Sequence, residues 1–165
     1  MLRRMHRKYR PKHYADRIWK ARSLMPECAF GADVMTGFPG ETDQEFEDSR
    51  AFIESLPFTY LHVFTYSERP GTPAAESADQ IPKEVRKRRT HLLRELGGRK
   101  NLEFRQSMIG RVLSAVSIED GSTALSENYL KIALATKREP NQIIDARIAG
   151  LTTDGLSETG RLSVL

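Results

Sequence analysis

Two short loops hold most of the residues whose types and spacing suit ligand chemistry. The first is Gly37–Thr42 (GFPGET) and the second is Ser67–Thr72 (SERPGT). Glycines let a backbone approach a ligand closely, and the free amides that open a helix after Thr42 suit an anion or a ribose or adenine edge. Each loop is also typical of a tight turn followed by a helix cap. The pattern therefore predicts two candidate binding loops and leaves the turn interpretation open.

The apolar segments beside these loops carry further polar side chains. In Thr59–Ser67 the residues alternate, so Leu61 and Val63 share one face, while His62 and Tyr66 share the other face with Tyr60 and Phe64. If the aliphatic face meets helices, His62 and Tyr66 face a barrel interior, although a strand histidine is also typical of a hydrogen-bonded core. Spacing alone assembles no nucleophile with its base and no carboxylate pair, so catalytic residues stay unknown. The residues predict a pocket.

Length and composition exclude several classes of protein. The chain has 165 residues, which is too few for a complete large enzyme, and it has one cysteine, Cys28. A single cysteine forms no internal disulfide and cannot by itself ligate a metal or an iron–sulfur cluster, so we expect no metal site and interpret Cys28 as a small core residue. No apolar run is long enough to span a membrane, and no signal peptide is visible. We therefore expect a cytoplasmic protein.

Charge is distributed in blocks of alternating sign. Residues 1–26 carry a net charge of +8, residues 27–80 carry −9, residues 81–111 carry +7 and residues 112–165 carry −2. Two basic stretches around an acidic middle suit a polyanion, although a solvated helix face gives the same pattern. Within the second stretch, the run Arg86-Lys87-Arg88-Arg89 supplies the candidate phosphate contacts.

The elements that position these residues alternate between helix and strand. We predict a helix over Pro11–Met25, a buried strand over Ala29–Phe38, a helix that begins at a Thr42–Glu45 capping box and ends at Pro57, and a strand over Thr59–Ser67. Helical connections of this length favour parallel strands in an α/β layer or a (β/α) barrel. Two strands do not complete such a sheet, so we expect the last part of a larger barrel.

The rest of the chain changes character. Pro82 opens a basic helix in which Gly97 and Gly98 predict a break or bend. From Ile109 onward, short apolar runs separated by turn residues predict a small antiparallel β-barrel or sandwich. The predicted organisation is therefore a partial barrel over residues 1–80, a basic linker helix over 81–108 and a small β-module over 109–165.

Three motifs, taken together, point to a family. The runs Met5–Tyr9 (MHRKY), Gly31–Phe46 (GADVMTGFPGETDQEF) and Leu61–Glu76 (LHVFTYSERPGTPAAE) resemble the carboxyl-terminal part of the radical S-adenosylmethionine tRNA methylthiotransferases. With Tyr14–Arg17 upstream, the third run looks most like the branch that modifies N6-threonylcarbamoyladenosine beside the anticodon. The isopentenyladenosine branch, the ribosomal-protein aspartate branch and a non-catalytic RNA-binding remnant are the alternatives.

The resemblance implies an α/β fold: the carboxyl-terminal portion of a radical-SAM (β/α) barrel, then a linker helix and a TRAM-like β-barrel that binds RNA. It implies S-adenosylmethionine and two 4Fe-4S clusters in the full-length family, and tRNA, through its anticodon loop, as the partner. The cysteines that ligate the clusters have no counterpart here, so we expect the amino-terminal half to be missing and this chain alone to be inactive.

The resemblance also assigns residues to sites. It places Gly37, Pro39, Gly40 and Glu41 on the cofactor side of the barrel mouth. Substrate-pocket candidates are Arg7, Asp33, His62, Tyr66, Arg69, Gly71 and Thr72, and the RNA-binding candidates remain Arg86, Lys87, Arg88 and Arg89.

Overall fold

The computed structural model describes residues 2–159 and divides the chain into two compact units, Met1–Lys100 and Asn101–Leu165, called here the α/β unit and the β unit. The helices and strands are α1 Pro11–Leu24, β1 Gly31–Thr36, α2 Asp43–Ser55, β2 Tyr60–Thr65, α3 Lys83–Ser107, β3 Val112–Ile118, β4 Thr123–Ser126, β5 Lys131–Ala133, β6 Ile143–Arg147, β7 Gly150–Leu151 and β8 Leu156–Ser157. None of the described helices is long and apolar enough to cross a membrane. The three-part division at residues 80 and 108 stays a prediction.

Strands β1 and β2 of the α/β unit are parallel, as the helix–strand–helix–strand order predicts. Their register runs from Gly31 opposite Tyr60 to Thr36 opposite Thr65. One sheet face packs on the helices, and the other, with Met35 and Phe64, is exposed. The core of this unit consists of Phe46, Ile53, Leu56, Phe58, Val63, Leu93 and Leu96, with Tyr14, Ala15 and Ile18 of α1 packed against it. The predicted alternation along β2 is confirmed.

Helix α2 begins at the predicted capping box. The Thr42 hydroxyl accepts a hydrogen bond from the Glu45 amide at 3.1 Å, and the Glu45 carboxylate accepts one from the Thr42 amide at 3.1 Å. These contacts satisfy two of the amides that a helix start leaves without partners. Helix α2 therefore begins immediately after the first candidate loop, and its capping box fixes the end of that loop.

Helix α3 runs through Gly97 and Gly98 without the predicted break. Gly97 is buried against β2, where an added Cβ would lie 3.3 Å from the Leu61 Cβ, whereas an added Cβ at Gly98 would meet nothing within 4 Å. Packing against the sheet therefore compensates for the low helix propensity of two adjacent glycines. For this reason the break predicted from helix propensity alone is wrong.

This pair of glycines gives a matched test. We expect Gly98→Ala to raise the free energy of unfolding by about 0.5–1 kcal/mol, because alanine gains helix propensity at an open position. Gly97→Ala should gain less or destabilise, because Leu61 must move. Urea unfolding followed by circular dichroism measures both. Equal stabilisation by the two variants would contradict the packing against β2.

The β unit contains a curled six-stranded sheet of order β6-β3-β4-β5-β8-β7. Its strands are antiparallel except for β5 and β8, which are parallel, so the all-antiparallel prediction is wrong for that pair. The two outer strands belong to one segment: β6 pairs with β3, and after two intervening residues β7 pairs with β8. Ile148 between them hydrogen-bonds to both Gly110 and Arg111. Leu113, Ile132, Ala146 and Leu156 are buried inside.

Candidate functional site

The first candidate loop is folded around the carboxylate of Glu41. The Gly37 amide donates to this carboxylate at 2.8 Å, and the Glu41 amide donates to the Phe38 carbonyl at 3.0 Å. Gly37 and Gly40 adopt φ of 75° and 74°, which glycine reaches without strain. Glu41 was predicted on the cofactor side, but it is buried and bonded within the loop, so its side chain shapes the loop from beneath. Pro39 is buried beside it.

Arg89 of α3 holds this loop from below. Its guanidinium donates to the Glu41 carboxylate at 2.7 Å, to the Glu41 carbonyl at 3.0 Å and to Asp43 at 2.7 Å. Burial opposes the charged form, but the two carboxylates outweigh it and raise the pKa of Arg89. The hydrogen bond from Arg89 lowers the pKa of the exposed Asp43. The loop and the start of α2 are thereby fixed to α3.

Arg86, one helical turn earlier, serves the second loop in the same way. It donates to the Tyr66 carbonyl at 3.2 Å and to Glu68 at 2.9 Å, and its guanidinium lies 5.5 Å from the centroid of the Tyr66 ring. Its stem crosses under Gly37, where an added Cβ would lie 2.4 Å from the Arg86 Cγ. One α3 face therefore supports both loops.

The basic run of α3 is thus divided between two environments. Arg86 and Arg89 are 6% and 3% exposed, so the prediction that they contact RNA phosphates is corrected: their donors are used inside the fold. Lys87 and Arg88 between them are exposed, and for these two residues the RNA contact stays a prediction. The correction follows from helical periodicity, because residues three apart share a face and residues between them do not.

Sequence reasoning missed Thr90 and Arg4. The Thr90 hydroxyl lies 2.8 Å from that of Thr36 and 2.7 Å from that of Thr65, so it joins the ends of both strands to α3. Arg4 donates to the Gly40 carbonyl and to Glu45. Thr90 follows Arg86 by four residues, so a search for polar residues on one buried helix face would have found it. No local pattern indicates the distant partners of Arg4.

The exposed face of the parallel pair brings predicted pocket residues together. Asp33 lies directly opposite His62 in the register, and Met35 lies opposite Phe64. His62 is exposed, with its ring centroid 5.3 Å from that of Tyr60 in an edge-on contact, so the hydrogen-bonded-core interpretation is wrong. One carboxylate and one imidazole beside two apolar side chains suit a flat heterocycle or an amino group.

A cavity of about 1410 Å³ adjoins this face. Asp33, Met35 and Phe64 line one wall, and Arg7 lies in the segment that forms the other. Among the predicted cofactor-side residues, Glu41 contributes to the lining. The cavity therefore brings Arg7 and Asp33 into one space.

The remaining predicted pocket residues lie elsewhere. Arg69, Gly71 and Thr72 form an exposed turn in which the Thr72 amide donates to the Arg69 carbonyl at 3.3 Å, and none of the three lines the cavity. Tyr66 is 7% exposed and packs edge-on against Phe38 at 5.6 Å, with no hydrogen-bond partner for its hydroxyl among the described residues. Tyr66 is therefore part of the support beneath the loops.

The described residues hold no group of three or more His, Cys, Asp or Glu side chains placed to bind a metal ion. Cys28 is half-buried rather than in the core, with its thiol 3.4 Å from the Ala29 carbonyl. A four-iron cluster needs three or four cysteine ligands, so the residues of this chain do not fit that group.

The capping box gives the α/β unit a measurable pH dependence. Partial burial acts to raise the pKa of Glu45, but hydrogen bonds from the Thr42 amide and from Arg4 lower it to about 2, against an ordinary 4.5. This contribution to stability is therefore complete above pH 4.5 and is lost as the pH falls toward 2. The free energy of unfolding of the wild type should fall as the pH is lowered from 4.5 toward 2. We expect this fall to be smaller by roughly 1–3 kcal/mol in Glu45→Gln, as measured by urea titrations at each pH. Glu47→Gln, on the same helix and exposed, is the control. A wild-type slope in Glu45→Gln would refute the assignment.

The fold and the loops together define a mixed α/β protein whose candidate site lies at the carboxyl ends of parallel strands. Comparison with known proteins then gives the family. The chain is 38% identical to the threonylcarbamoyladenosine tRNA methylthiotransferase MtaB of Rickettsia prowazekii over 151 residues, which is 92% of this chain and 35% of that protein. It is 36% identical to MtaB of Bacillus subtilis, over 80% of this chain and 31% of the relative.

It is also 42% identical to the tRNA-2-methylthio-N(6)-dimethylallyladenosine synthase of Wolbachia pipientis subsp. Culex pipiens, over 68% of this chain and 26% of the relative. No protein-family model matches. These relatives, at 36–42% identity, are tRNA methylthiotransferases, and the chain is consistent with a carboxyl-terminal fragment of one. It spans about a third or less of the length of these relatives.

Proposed function

We propose that this chain forms the substrate-facing, carboxyl-terminal part of an enzyme that adds a methylthio group to C2 of N6-threonylcarbamoyladenosine beside the tRNA anticodon. The observation that supports this branch is the extent of the match. The Rickettsia threonylcarbamoyladenosine enzyme matches 92% of the chain, whereas the Wolbachia dimethylallyladenosine enzyme matches 68%.

In this proposal the α/β unit supplies one wall of the site, within a radical-SAM barrel. Asp33 and His62, with Met35 and Phe64, offer a carboxylate, an imidazole and apolar contacts that fit the modified adenine of the tRNA. The loop of Gly37, Pro39 and Gly40 stays the proposed S-adenosylmethionine side of the site. When bound, that cofactor supplies the methyl group and the adenosyl radical. The role of this chain is to bind and orient: Arg86 and Arg89 keep both loops rigid under the ligands, which limits misplacement of the reacting groups.

The iron–sulfur clusters of the family do not fit this chain, since it has one cysteine. We infer that residues 1–165 alone do not catalyse the reaction. The same fact supports a second candidate, a non-catalytic tRNA-binding protein that retains the fold. In both cases the β unit binds RNA as a TRAM-like module, and Lys87 and Arg88 of the α/β unit contact tRNA phosphates. The proposed location, where the tRNA substrate is found, is the cytoplasm.

A chimera tests the proposal. The homologous stretch of the Rickettsia relative is replaced by this chain, and the chimera is expressed in a bacterial host that lacks its own tRNA methylthiotransferases. Mass spectrometry of tRNA nucleosides should then show 2-methylthio-N6-threonylcarbamoyladenosine. The unchanged relative is the positive control, and a chimera that carries the Wolbachia stretch controls for branch preference.

Each other outcome is decisive. A product on dimethylallyladenosine would overturn the branch and retain the family chemistry. No product from a folded chimera that still binds tRNA would favour the non-catalytic candidate. No product and no tRNA binding would overturn both.

A further inference from the structure

The two basic stretches of the chain differ in how far the fold uses them. In the second stretch nearly every cation donates to a protein group: Arg99 to Glu54 at 2.8 Å, Lys100 to the Leu56 carbonyl at 2.7 Å and Arg105 to three carbonyls of the β7–β8 turn. Together with Arg86 and Arg89, these side chains are structural. Much of the apparent RNA-binding charge of α3 is therefore not available to a polyanion.

Most cations of the first basic stretch, residues 1–26, have no protein partner within residues 2–159. Of its nine cations, Arg4 pairs with Glu45, and Arg22 donates to the carbonyls of Pro26, Cys28 and Pro57. The other seven are exposed and form no ion pair or side-chain hydrogen bond with any residue in the range 2–159; they are Arg3, Arg7, Lys8, Arg10, Lys12, Arg17 and Lys20. Asp16 is the single acidic residue among them.

Helix α1 carries part of this positive charge on its outer face, while its inner face packs against the core. Tyr14, Ala15 and Ile18 pack on the core, and Arg22 stacks on the Phe30 ring at 4.5 Å. At 100° per residue, the opposite side of the helix carries His13, Asp16 and Lys20, flanked by Lys12 and Arg17. Three of the seven free cations, Lys12, Arg17 and Lys20, thus lie on a solvent-facing ridge of α1.

Trp19 lies on the same helix beside that ridge. It is the single tryptophan of the chain and is 52% exposed, one turn from Asp16 and two turns from Lys12. An exposed indole on a helix whose core contacts are made by other residues contributes little to the fold. Exposed aromatic rings between cations are typical of surfaces on which unpaired bases stack.

We propose that the outer face of α1, defined by Lys12, His13, Arg17, Trp19 and Lys20, is a second RNA-contact surface. Its cations bind backbone phosphates, and Trp19 stacks on an unpaired base. The inference rests on the proposed function, which makes tRNA the partner, and extends it to a site distant in sequence from both loops and from the β unit. An anionic membrane is the less favoured partner, because the apolar face of α1 is already covered by the core.

The test uses the full chain and a fluorescently labelled tRNA transcript in anisotropy titrations over a range of salt concentrations. Arg17→Gln with Lys20→Gln should weaken binding about tenfold at low salt and reduce the slope of log K against log[salt] by about 1.5, because two phosphate contacts are lost. Arg50→Gln with Arg99→Gln is the control, since both side chains pair with Glu54 and the net charge changes equally. The control should bind like the wild type.

Trp19 is tested separately. Trp19→Ala should weaken binding about tenfold with an unchanged salt slope, and Trp19→Phe should restore most of the affinity, because stacking needs an aromatic ring and no charge. Circular dichroism confirms that each variant folds. Wild-type affinity in both α1 variants would overturn this surface while leaving the proposed function to the chimera. If the α1 variants lose binding to phosphatidylserine vesicles while their tRNA binding is unchanged, the ridge contacts a membrane, and the proposed RNA-contact surface is also overturned.

Discussion

Replacing Arg89 with methionine will destabilise the α/β unit by about 3–5 kcal/mol. The side chains of Arg89 and Glu41 are 4% and 5% exposed, so removal of the guanidinium leaves a buried carboxylate whose remaining polar partner within residues 2–159 is the Gly37 amide. Loss of the bond to Asp43 adds little, because that carboxylate is exposed and water replaces the donor. The fluorescence of Trp19, which lies in this unit, measures the change during urea unfolding.

The neighbouring arginine provides the control. Arg88 is 66% exposed and lies 3.9 Å from Asp43, so Arg88→Met should change stability by less than about 1 kcal/mol. Glu41→Gln combined with Arg89→Met removes both charges and should recover part of the loss. Equal effects of Arg88→Met and Arg89→Met would show that burial of the pair does not govern the loop.

Gly37→Ala will have a comparable effect for a different reason. The residue has a φ of 75°, where an L-residue costs about 1–2 kcal/mol, and the new Cβ would lie 2.4 Å from the Arg86 Cγ. Overpacking adds about 1–3 kcal/mol, because Arg86 is held by Tyr66 and Glu68 and cannot withdraw freely. We expect a total loss of roughly 2–5 kcal/mol by urea titration.

Gly71→Ala separates the two contributions. Its φ is 77°, but an added Cβ would meet nothing within 4 Å, so the substitution carries the backbone cost alone, about 1–2 kcal/mol. If Gly37→Ala were no worse than Gly71→Ala, the close approach of the Arg86 stem would not matter for stability.

Local patterns predicted the elements near the site well. The capping box at Thr42, the alternation along Tyr60–Thr65 and the helical repeat of α1 depend on residues within a few positions of one another, and all three are confirmed. The β unit was predicted less accurately. Strands β4, β7 and β8 have four residues or fewer, and such lengths give too few alternations to define a strand or its direction.

In the candidate site, too, some residues lie where they were predicted and others do not. Asp33 and His62 were both predicted in the substrate pocket, and the strand register puts them opposite each other. Tyr66, Arg86 and Arg89 were assigned to ligands, but the structure buries them under the loops. A run of four basic residues looks uniform in a sequence, and only the packing of α3 determines which of them lose their solvent.

The alternation of helices and strands, the two loops and the blocks of charge can be read from the amino-acid sequence alone, because they depend on residue type and local spacing, and the family is indicated by the resemblance of three motifs. The tertiary structure decided which charges are free. Helix α3 packs on the sheet, and its buried Arg86 and Arg89 donate to carboxylates and carbonyls from distant positions. Helix α1 packs through Tyr14 and Ile18 and leaves Lys12, Arg17 and Lys20 in solvent. Burial of a charge requires a partner, and the fold alone determines where that partner lies.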